Sequence, residues 1–202
     1  ALAAALDLQT GVDAFIAAPS DTTLAAARQS WIAARPWYQQ TEGFRFGNAI
    51  VDDWEGRVNA WPLDEGLLDY VDTKSYGDSS DENPLYVANV IANKDVRIGN
   101  DTVDASTITV DVLKSLQEAG DVESNVAIGY HAIEFLLWGQ DLNGTGPGAG
   151  NRPASDYDVN NCTNGNCDRR AAYLKAATDL LVADLQEMVA NWQAGAAART
   201  DL

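Results

Sequence analysis

Hydrophobic residues recur three or four positions apart through most of the chain. This spacing puts them on one face of an α-helix, so the pattern predicts a mostly helical protein. The longest uninterrupted stripe covers residues 169–192, from Leu174 to Trp192. The predicted helical segments are the opening residues from Leu2 to Phe15, residues 24–38, 84–91, 107–118, 122–138 and 169–192.

Local signals predict where several of these helices begin and end. Ser20 or Asp21 can cap the second helix, because a short polar side chain accepts a hydrogen bond from a free backbone N–H. Pro84 suits the first position of a helix, where its missing N–H costs nothing. Gly139 is a candidate C-cap for the helix over 122–138. The β-branched residues 108–110 are also typical of a strand, although we predict a helix there.

Two long irregular segments, residues 43–81 and 141–166, separate the helices. The second is rich in Gly, Asn and Pro, whereas the first contains many aromatic residues and is too apolar for a solvated tail. We therefore expect short helices in residues 43–81 that pack on the bundle. The predicted fold is an all-α, up-and-down helical bundle with long ordered loops, in one domain over residues 1–202.

Composition limits the classes of partner. The chain has 202 residues, a hydrophobic content of 46% and a formal net charge of −17. Duplex nucleic acid and anionic membranes are therefore poor partners, and metal cations are favourable ones. An acidic surface that only maintains solubility is the alternative explanation. We predict no transmembrane segment, because no apolar stretch is long enough to cross a bilayer.

The two cysteines, Cys162 and Cys167, flank an Asn-Gly pair. Such a pair favours a tight turn, which would bring the two sulfur atoms to bonding distance. We predict a disulfide and hence an oxidising compartment such as the periplasm or the outside of a cell. Two free thiols in a cytosolic loop are the alternative.

Gly129, His131 and Glu134 form the most informative motif, because His131 is the only histidine of the chain. Residues three positions apart lie on the same face of a helix, so His131 and Glu134 can meet. Helical bundles build metal sites from imidazole and carboxylate pairs with this spacing. The alternative is a buried polar pair in which the carboxylate only satisfies the imidazole N–H.

Several segments together resemble the imelysin-like proteins. They are residues 39–47, residues 54–66, the Gly-x-His-x-x-Glu motif over 129–134 with Arg152-Pro153 after it, and residues 168–192. The resemblance implies an all-helical protein of the bacterial envelope, implicated in iron uptake, with two bundles and a functional site at the motif near their junction. We expect this chain to be the N-terminal bundle, since it has about half the expected length. Its helical start without a basic leader suggests a mature or trimmed form.

A metal ion at His131 and Glu134 would need further ligands. Glu42 is the candidate for a third ligand, because its helix can face the His131 helix across the core. Its alternative role is a salt bridge with Arg45, three residues later. Asp64 could bind a cation or cap a short helix.

Four more residues are candidates to surround the site. Asp141 and Arg152 flank the glycine-rich segment and could order it over the motif, or could form an ordinary surface pair. Trp61 and Trp138 could form the walls of the site and lower its dielectric constant, or could belong to the core.

One histidine with several carboxylates favours iron, with zinc also possible. We therefore expect a protein of the periplasm, the cell envelope or the outer membrane that captures a metal ion or a metal-bearing ligand and works with an envelope partner. A metallopeptidase that uses the same site is the alternative, which the resemblance suggests. The single histidine argues against the His-Glu-x-x-His type, and the chain has no Gly-x-Ser-x-Gly elbow. A second alternative is a partner-docking protein with a structural His-Glu pair.

Overall fold

Four helices form the centre of the fold in the computed structural model, which describes residues 1–201. They are α1 (Leu2–Ala17), α2 (Asp21–Gln39), α7 (Gly129–Trp138) and α8 (Cys167–Asn191). α1 packs on α2 and α8, and α7 packs on α2 and α8. Because each helix buries its apolar stripe against the others, the predicted helical bundle is confirmed.

The start of α2 matches the sequence signal. Ser20 is the N-cap, and its hydroxyl accepts a hydrogen bond from the Thr23 backbone N–H. The Thr23 hydroxyl in turn accepts from the Ser20 N–H. This reciprocal pair satisfies two backbone donors and fixes the turn between α1 and α2.

Short helices fill much of the connecting segments. Those of the aromatic segment are α3 (Ala49–Val58), α4 (Glu65–Leu68) and α5 (Thr73–Tyr76), as expected for residues 43–81. The others are α6 (Val110–Leu116) and α9 (Ala197–Thr200), with 3₁₀ turns at Glu42–Phe44, Ala119–Asp121 and Ala154–Asp156. None of the helices in residues 1–201 is long and apolar enough to cross a membrane.

The predicted helix over residues 84–91 is wrong. The Asn83 side-chain oxygen accepts a hydrogen bond from the Leu85 N–H, which forms a turn after Pro84. The backbone N–H groups of Val90 and Ile91 donate to the carbonyls of Leu67 and Leu68 instead of to their own segment. Tertiary contacts with α4 therefore replace the helical hydrogen bonds.

An antiparallel hairpin follows, which the sequence analysis did not predict. β1 (Asp95–Ile98) pairs with β2 (Asp101–Asp104), and Val96 faces Val103. The turn contains Gly99 at φ +60°.

Two helix starts were predicted too early. α6 begins at Val110 because the Thr109 hydroxyl caps it, so the β-branched residues before it are not helical. α7 begins only at Gly129. Before it, the Ala127 N–H donates to the Gln117 side chain and the Asn125 carbonyl accepts from Glu118, which holds the segment outside a helix.

Candidate functional site

Gly129 places the first turn of α7 directly against the end of α3. Its φ is +82°, a conformation that favours glycine. A Cβ atom added there would lie 2.6 Å from the Val58 carbonyl oxygen and 2.7 Å from its carbon. Gly129 is therefore required both for its backbone angle and for the close approach of the two helices, which determines where His131 lies.

His131 and Glu134 meet as the spacing predicts. The His131 Nδ1 lies 3.0 Å from the Glu134 Oε2. The His131 side chain is 17% exposed and that of Glu134 is 41% exposed, so the pair lies at the surface of the bundle. Within residues 1–201 the Nε2 atom of His131 has no hydrogen-bond partner.

Trp61 covers the imidazole from the solvent side. The two ring centroids are 4.7 Å apart, and the indole is 69% exposed. Trp61 is therefore a wall of the site and not a core residue. An exposed aromatic ring beside an imidazole shields it from water and offers a surface for a ligand.

The pair opens into a groove of about 320 Å³. Its lining residues come from the Trp61 loop, α4, α7 and the glycine-rich loop: Trp61, Leu63, Glu65, His131, Glu134, Phe135, Trp138, Gly139, Asp141, Gly148, Ala149 and Gly150. The structure thus brings Trp61, Trp138 and Asp141 to the His-Glu pair. Asp141 is exposed and accepts a hydrogen bond from the Asn143 N–H.

Glu65 is a groove residue that the sequence analysis missed. Burial raises the pKa of its carboxyl to about 7; the nearby Asp141 and Glu134 add to the rise, and Arg152 opposes it. The sequence feature that could have indicated Glu65 is its position directly before the short segment Gly66–Leu68, which is buried.

Glu42 does not lie at this groove. It lines a separate surface groove with Arg45 and Asp52, and its carboxylate forms an ion pair with Arg45 at 3.2 Å. The physical reason is that α2 ends at Gln39 and the chain turns away through a 3₁₀ helix. The predicted third ligand is therefore not brought to His131, and the alternative salt bridge is observed.

Asp64 holds loops together. Its Oδ2 accepts hydrogen bonds from the Asn83 side-chain amide and the Ser124 hydroxyl, both at 2.6 Å. It occupies the N-cap position of α4 without making a side-chain cap. Because these two donors use its carboxylate, Asp64 connects three loops behind the groove.

Trp138 belongs to both the core and the groove. Its ring packs edge-to-face on Trp31 at 5.4 Å, and the Arg28 guanidinium lies 5.6 Å from its centroid. This half-buried side chain therefore packs on the core and also lines the groove.

Arg152 does not form a surface pair with Asp141. Its side chain is fully buried, and Nη1 donates to Asp69 at 2.6 Å and to Asp156 at 3.2 Å. Arg170, also buried, donates to both oxygens of Asp69. The Arg152 backbone N–H donates to the Trp138 carbonyl, which closes the glycine-rich loop at the end of α7. Arg152 therefore anchors the loop from inside.

The predicted disulfide is confirmed. The sulfur atoms of Cys162 and Cys167 are bonded, and the Cα atoms are 5.9 Å apart. Gly165 of the Asn-Gly pair and the following Asn166 both have positive φ, which turns the chain between the two cysteines. The disulfide closes the loop immediately before α8.

The donor set at the groove suits a metal ion that brings ligands of its own. An imidazole nitrogen and carboxylate oxygens suit borderline first-row ions. However, no three His, Cys, Asp or Glu side chains within residues 1–201 converge closely enough to hold an ion by themselves. The geometry does not fit a closed cage for a bare ion.

Comparisons with known proteins agree with the architecture. The model of the imelysin family, peptidase family M75, matches residues 1–202. Iron-regulated protein A from Synechococcus elongatus is 39% identical over 66 residues, which is 32% of this chain and 18% of that protein. A crystal structure described as an iron-regulated protein A precursor from Parabacteroides distasonis aligns with a TM-score of 0.56 at 21% identity. It covers 99% of this chain and 44% of that one, so this chain spans less than half of either relative.

Proposed function

Because the chain belongs to the imelysin family, we propose that it is an iron-related envelope protein that captures a metal-bearing ligand in the groove at His131 and Glu134. The observation that carries the proposal is the imidazole held by a carboxylate at the mouth of a groove. The iron-regulated names of two relatives support the link to iron.

The His-Glu geometry suits metal binding through Nε2. A histidine that binds a metal usually donates its other ring N–H to a carboxylate, which fixes the tautomer and makes the free nitrogen a better ligand. Glu134 is 3.0 Å from Nδ1 and fills that role. The bound metal would then act as the Lewis acid to which the ligand stays attached, while His131 and Glu134 hold and orient it.

The side chains around His131 explain why the metal would arrive with other ligands. Glu65 and Asp141 line the groove, but they do not converge with His131 into a set of three. A first-row ion needs at least four ligands in most protein sites. A chelated ion with one or two open positions therefore matches the groove best. A ferrous ion that keeps several water ligands should bind at the same His131 more weakly.

Two features support an extracytoplasmic location. The disulfide between Cys162 and Cys167 is stable in an oxidising compartment. The Parabacteroides distasonis relative is described as a precursor, a word that fits an exported protein. We propose the periplasm or the cell envelope, with an envelope protein as the partner that receives the ligand.

The test is calorimetric titration of metal-free protein with ferrous ion under anaerobic conditions, with ferric citrate and with zinc. His131→Ala should abolish iron binding, and Glu134→Gln should weaken it about 10- to 100-fold, because the carboxylate orients the imidazole. Glu187→Gln is the matched control, since Glu187 is an exposed helical carboxylate that pairs with Arg57 and does not line the groove. It should bind like the wild type.

Absence of iron binding in the wild-type chain, combined with a loss of stability in His131→Ala, would overturn the proposal. It would favour a structural His-Glu pair beneath a docking surface.

Hydrolysis is the second candidate, because Glu65 places a further carboxylate in the groove with His131 and the family model is named for peptidases. In that case a denatured protein substrate should be cleaved in a metal-dependent way, and both His131→Ala and Glu65→Gln should abolish cleavage. The capture proposal expects no cleavage with ferrous ion, ferric citrate or zinc.

A further inference from the structure

The guanidinium of Arg152 is fully buried but only half satisfied. Nη1 donates to Asp69 and Asp156. Nε and Nη2 have no acceptor within residues 1–201. These two atoms share one edge of the planar guanidinium and form a fork that matches the two oxygens of one carboxylate. Because buried donors are nearly always paired in proteins, the fork indicates a ligand.

The charges around the fork favour an anion. Arg28 donates to the Arg152 carbonyl at 2.8 Å, and Arg170 shares Asp69 with Arg152. Arg152 and Arg170 are paired with the carboxylates of Asp69 and Asp156. The nearby Arg28 guanidinium donates only to backbone carbonyls and adds one positive charge, which the Glu65 carboxyl opposes in part. One bound carboxylate would neutralise it.

The fork lies next to the His131 groove. The Arg152 guanidinium carbon is 5.4 Å from the ring centroid of Phe135, which lines that groove. A Cβ atom at Gly139 would be 3.5 Å from Nε and 3.7 Å from Nη2, so the glycine leaves this side of the fork without a side chain. Gly139 and Trp138 line the His131 groove and also a second groove of about 340 Å³, which Arg152 lines.

We propose that the Nε and Nη2 fork of Arg152 is a carboxylate-binding subsite that adjoins the His131 groove. This inference rests on the proposed function, in which His131 holds the metal, and it names the ligand class: a metal chelate that carries a free carboxylate, such as a hydroxy-polycarboxylate complex. The exposed loop of residues 140–150 covers Gly139, because Gly150 packs on the Gly139 carbonyl. The carboxylate enters when this loop shifts.

The first experiment follows the Nε–H resonance of Arg152 in wild-type protein labelled with ¹⁵N-arginine during titration with citrate. The resonance is assigned in the wild-type protein from its nuclear Overhauser contacts with the rings of Tyr70 and Phe135, which pack against the Arg152 guanidinium. We expect a saturable shift of this signal, whereas the Nε–H signal of Arg45, which lines the separate groove with Glu42, should not move. An Arg152 signal that citrate leaves unchanged would overturn the subsite, even if Arg152→Lys does not fold.

Calorimetry then separates the subsite from the metal site. Arg152→Lys keeps the charge but loses the fork, so its affinity for ferric citrate should fall at least about tenfold while its affinity for ferrous ion stays at the wild-type level. Glu65→Gln should bind citrate at least about twofold more tightly, because it removes a nearby carboxyl whose negative charge opposes the binding of an anion at Arg152. Equal affinity of wild type and Arg152→Lys for ferric citrate would refute the subsite.

The two proposals fail in different ways. If ferrous ion binds and is lost in His131→Ala while citrate has no effect at Arg152, the metal site stands and the subsite is wrong. If citrate shifts the Arg152 signal but no metal binds, the subsite stands as an anion site and the proposed function is wrong.

Discussion

Replacement of Gly129 by alanine should be among the most damaging single-methyl additions to the protein. The new Cβ would lie 2.6 Å from the Val58 carbonyl oxygen, 2.7 Å from its carbon and 3.1 Å from the Arg57 carbonyl oxygen. All three are backbone atoms, so a side-chain rotation cannot relieve the overlap. The helix α7 must move away from the end of α3.

The expected cost follows from two effects. A φ of +82° costs a residue with a Cβ about 1–2 kcal/mol, and forcing the packed helices apart costs about 1–3 kcal/mol. Alanine also stabilises the folded state relative to the unfolded chain by about 0.4–1 kcal/mol. The net loss is about 3 kcal/mol, measured as the free energy of unfolding in urea.

Gly56→Ala is the matched control. Gly56 lies inside α3, and the nearest atom to an added Cβ is a Glu118 side-chain oxygen at 3.9 Å. Alanine should raise the stability there by about 0.5–1 kcal/mol, because glycine is unfavourable inside a helix. If the free energy of unfolding of Gly129→Ala lies within about 0.5 kcal/mol of the wild-type value, the close approach of α3 and α7 does not require glycine and the reasoning is refuted.

Three further predictions concern stability. Asp69→Asn removes the charge that Arg152 and Arg170 share and should lower the free energy of unfolding by about 3–5 kcal/mol. The control is Asp179→Asn, because Asp179 is partly exposed and pairs with Lys175, and its loss should be less than about 1 kcal/mol. Equal losses in the two variants would contradict this account. Burial raises the pKa of Glu65 to about 7, so the folded state holds an extra proton and stability should fall as pH rises from about 4.5 through about 7. Glu65→Gln should remove that fall and be about 2 kcal/mol more stable than the wild type at pH 8. If stability depends on pH in the same way in the variant and in the wild type, the effect of Glu65 burial is refuted. The free energy of unfolding of the Cys162→Ser, Cys167→Ser double variant, measured in urea, should be about 2 kcal/mol below that of the oxidised wild type, because the disulfide closes a short loop. A variant as stable as the wild type would show that the loop is held without the disulfide.

The long helices could be predicted because their apolar stripes are strongly periodic. α1 and α2 each bury one face, and α8 is buried on most sides. The buried positions Leu24, Ala27, Ala34 and Tyr38 of α2 all lie in its predicted segment, residues 24–38. The start of α7 could not be predicted in this way. Residues 125–130 are all buried whether helical or not, so hydrophobicity alone does not mark the boundary at Gly129.

The sequence predicted the contact of the site that lies within one helix, but not the contacts between residues far apart in the chain. The His131 and Glu134 contact follows from helical spacing. The partners of Arg152 are 83 residues away at Asp69 and 4 away at Asp156, and no local pattern indicates that they meet. Glu42 was predicted to face His131 because α2 does pack on α7, but the chain leaves α2 before reaching Glu42. Long-range contacts depend on how the loops pack, which periodicity does not encode.

The central claim is that the His131 imidazole binds the metal of the captured ligand. X-ray absorption at the iron edge of the protein loaded with ferric citrate tests it directly, because a bound imidazole ring produces outer-shell scattering that carboxylate and water ligands do not. The account predicts imidazole scattering in the wild type and in Glu187→Gln, and its loss in His131→Ala. An iron spectrum that is the same in the wild type and in His131→Ala would contradict it.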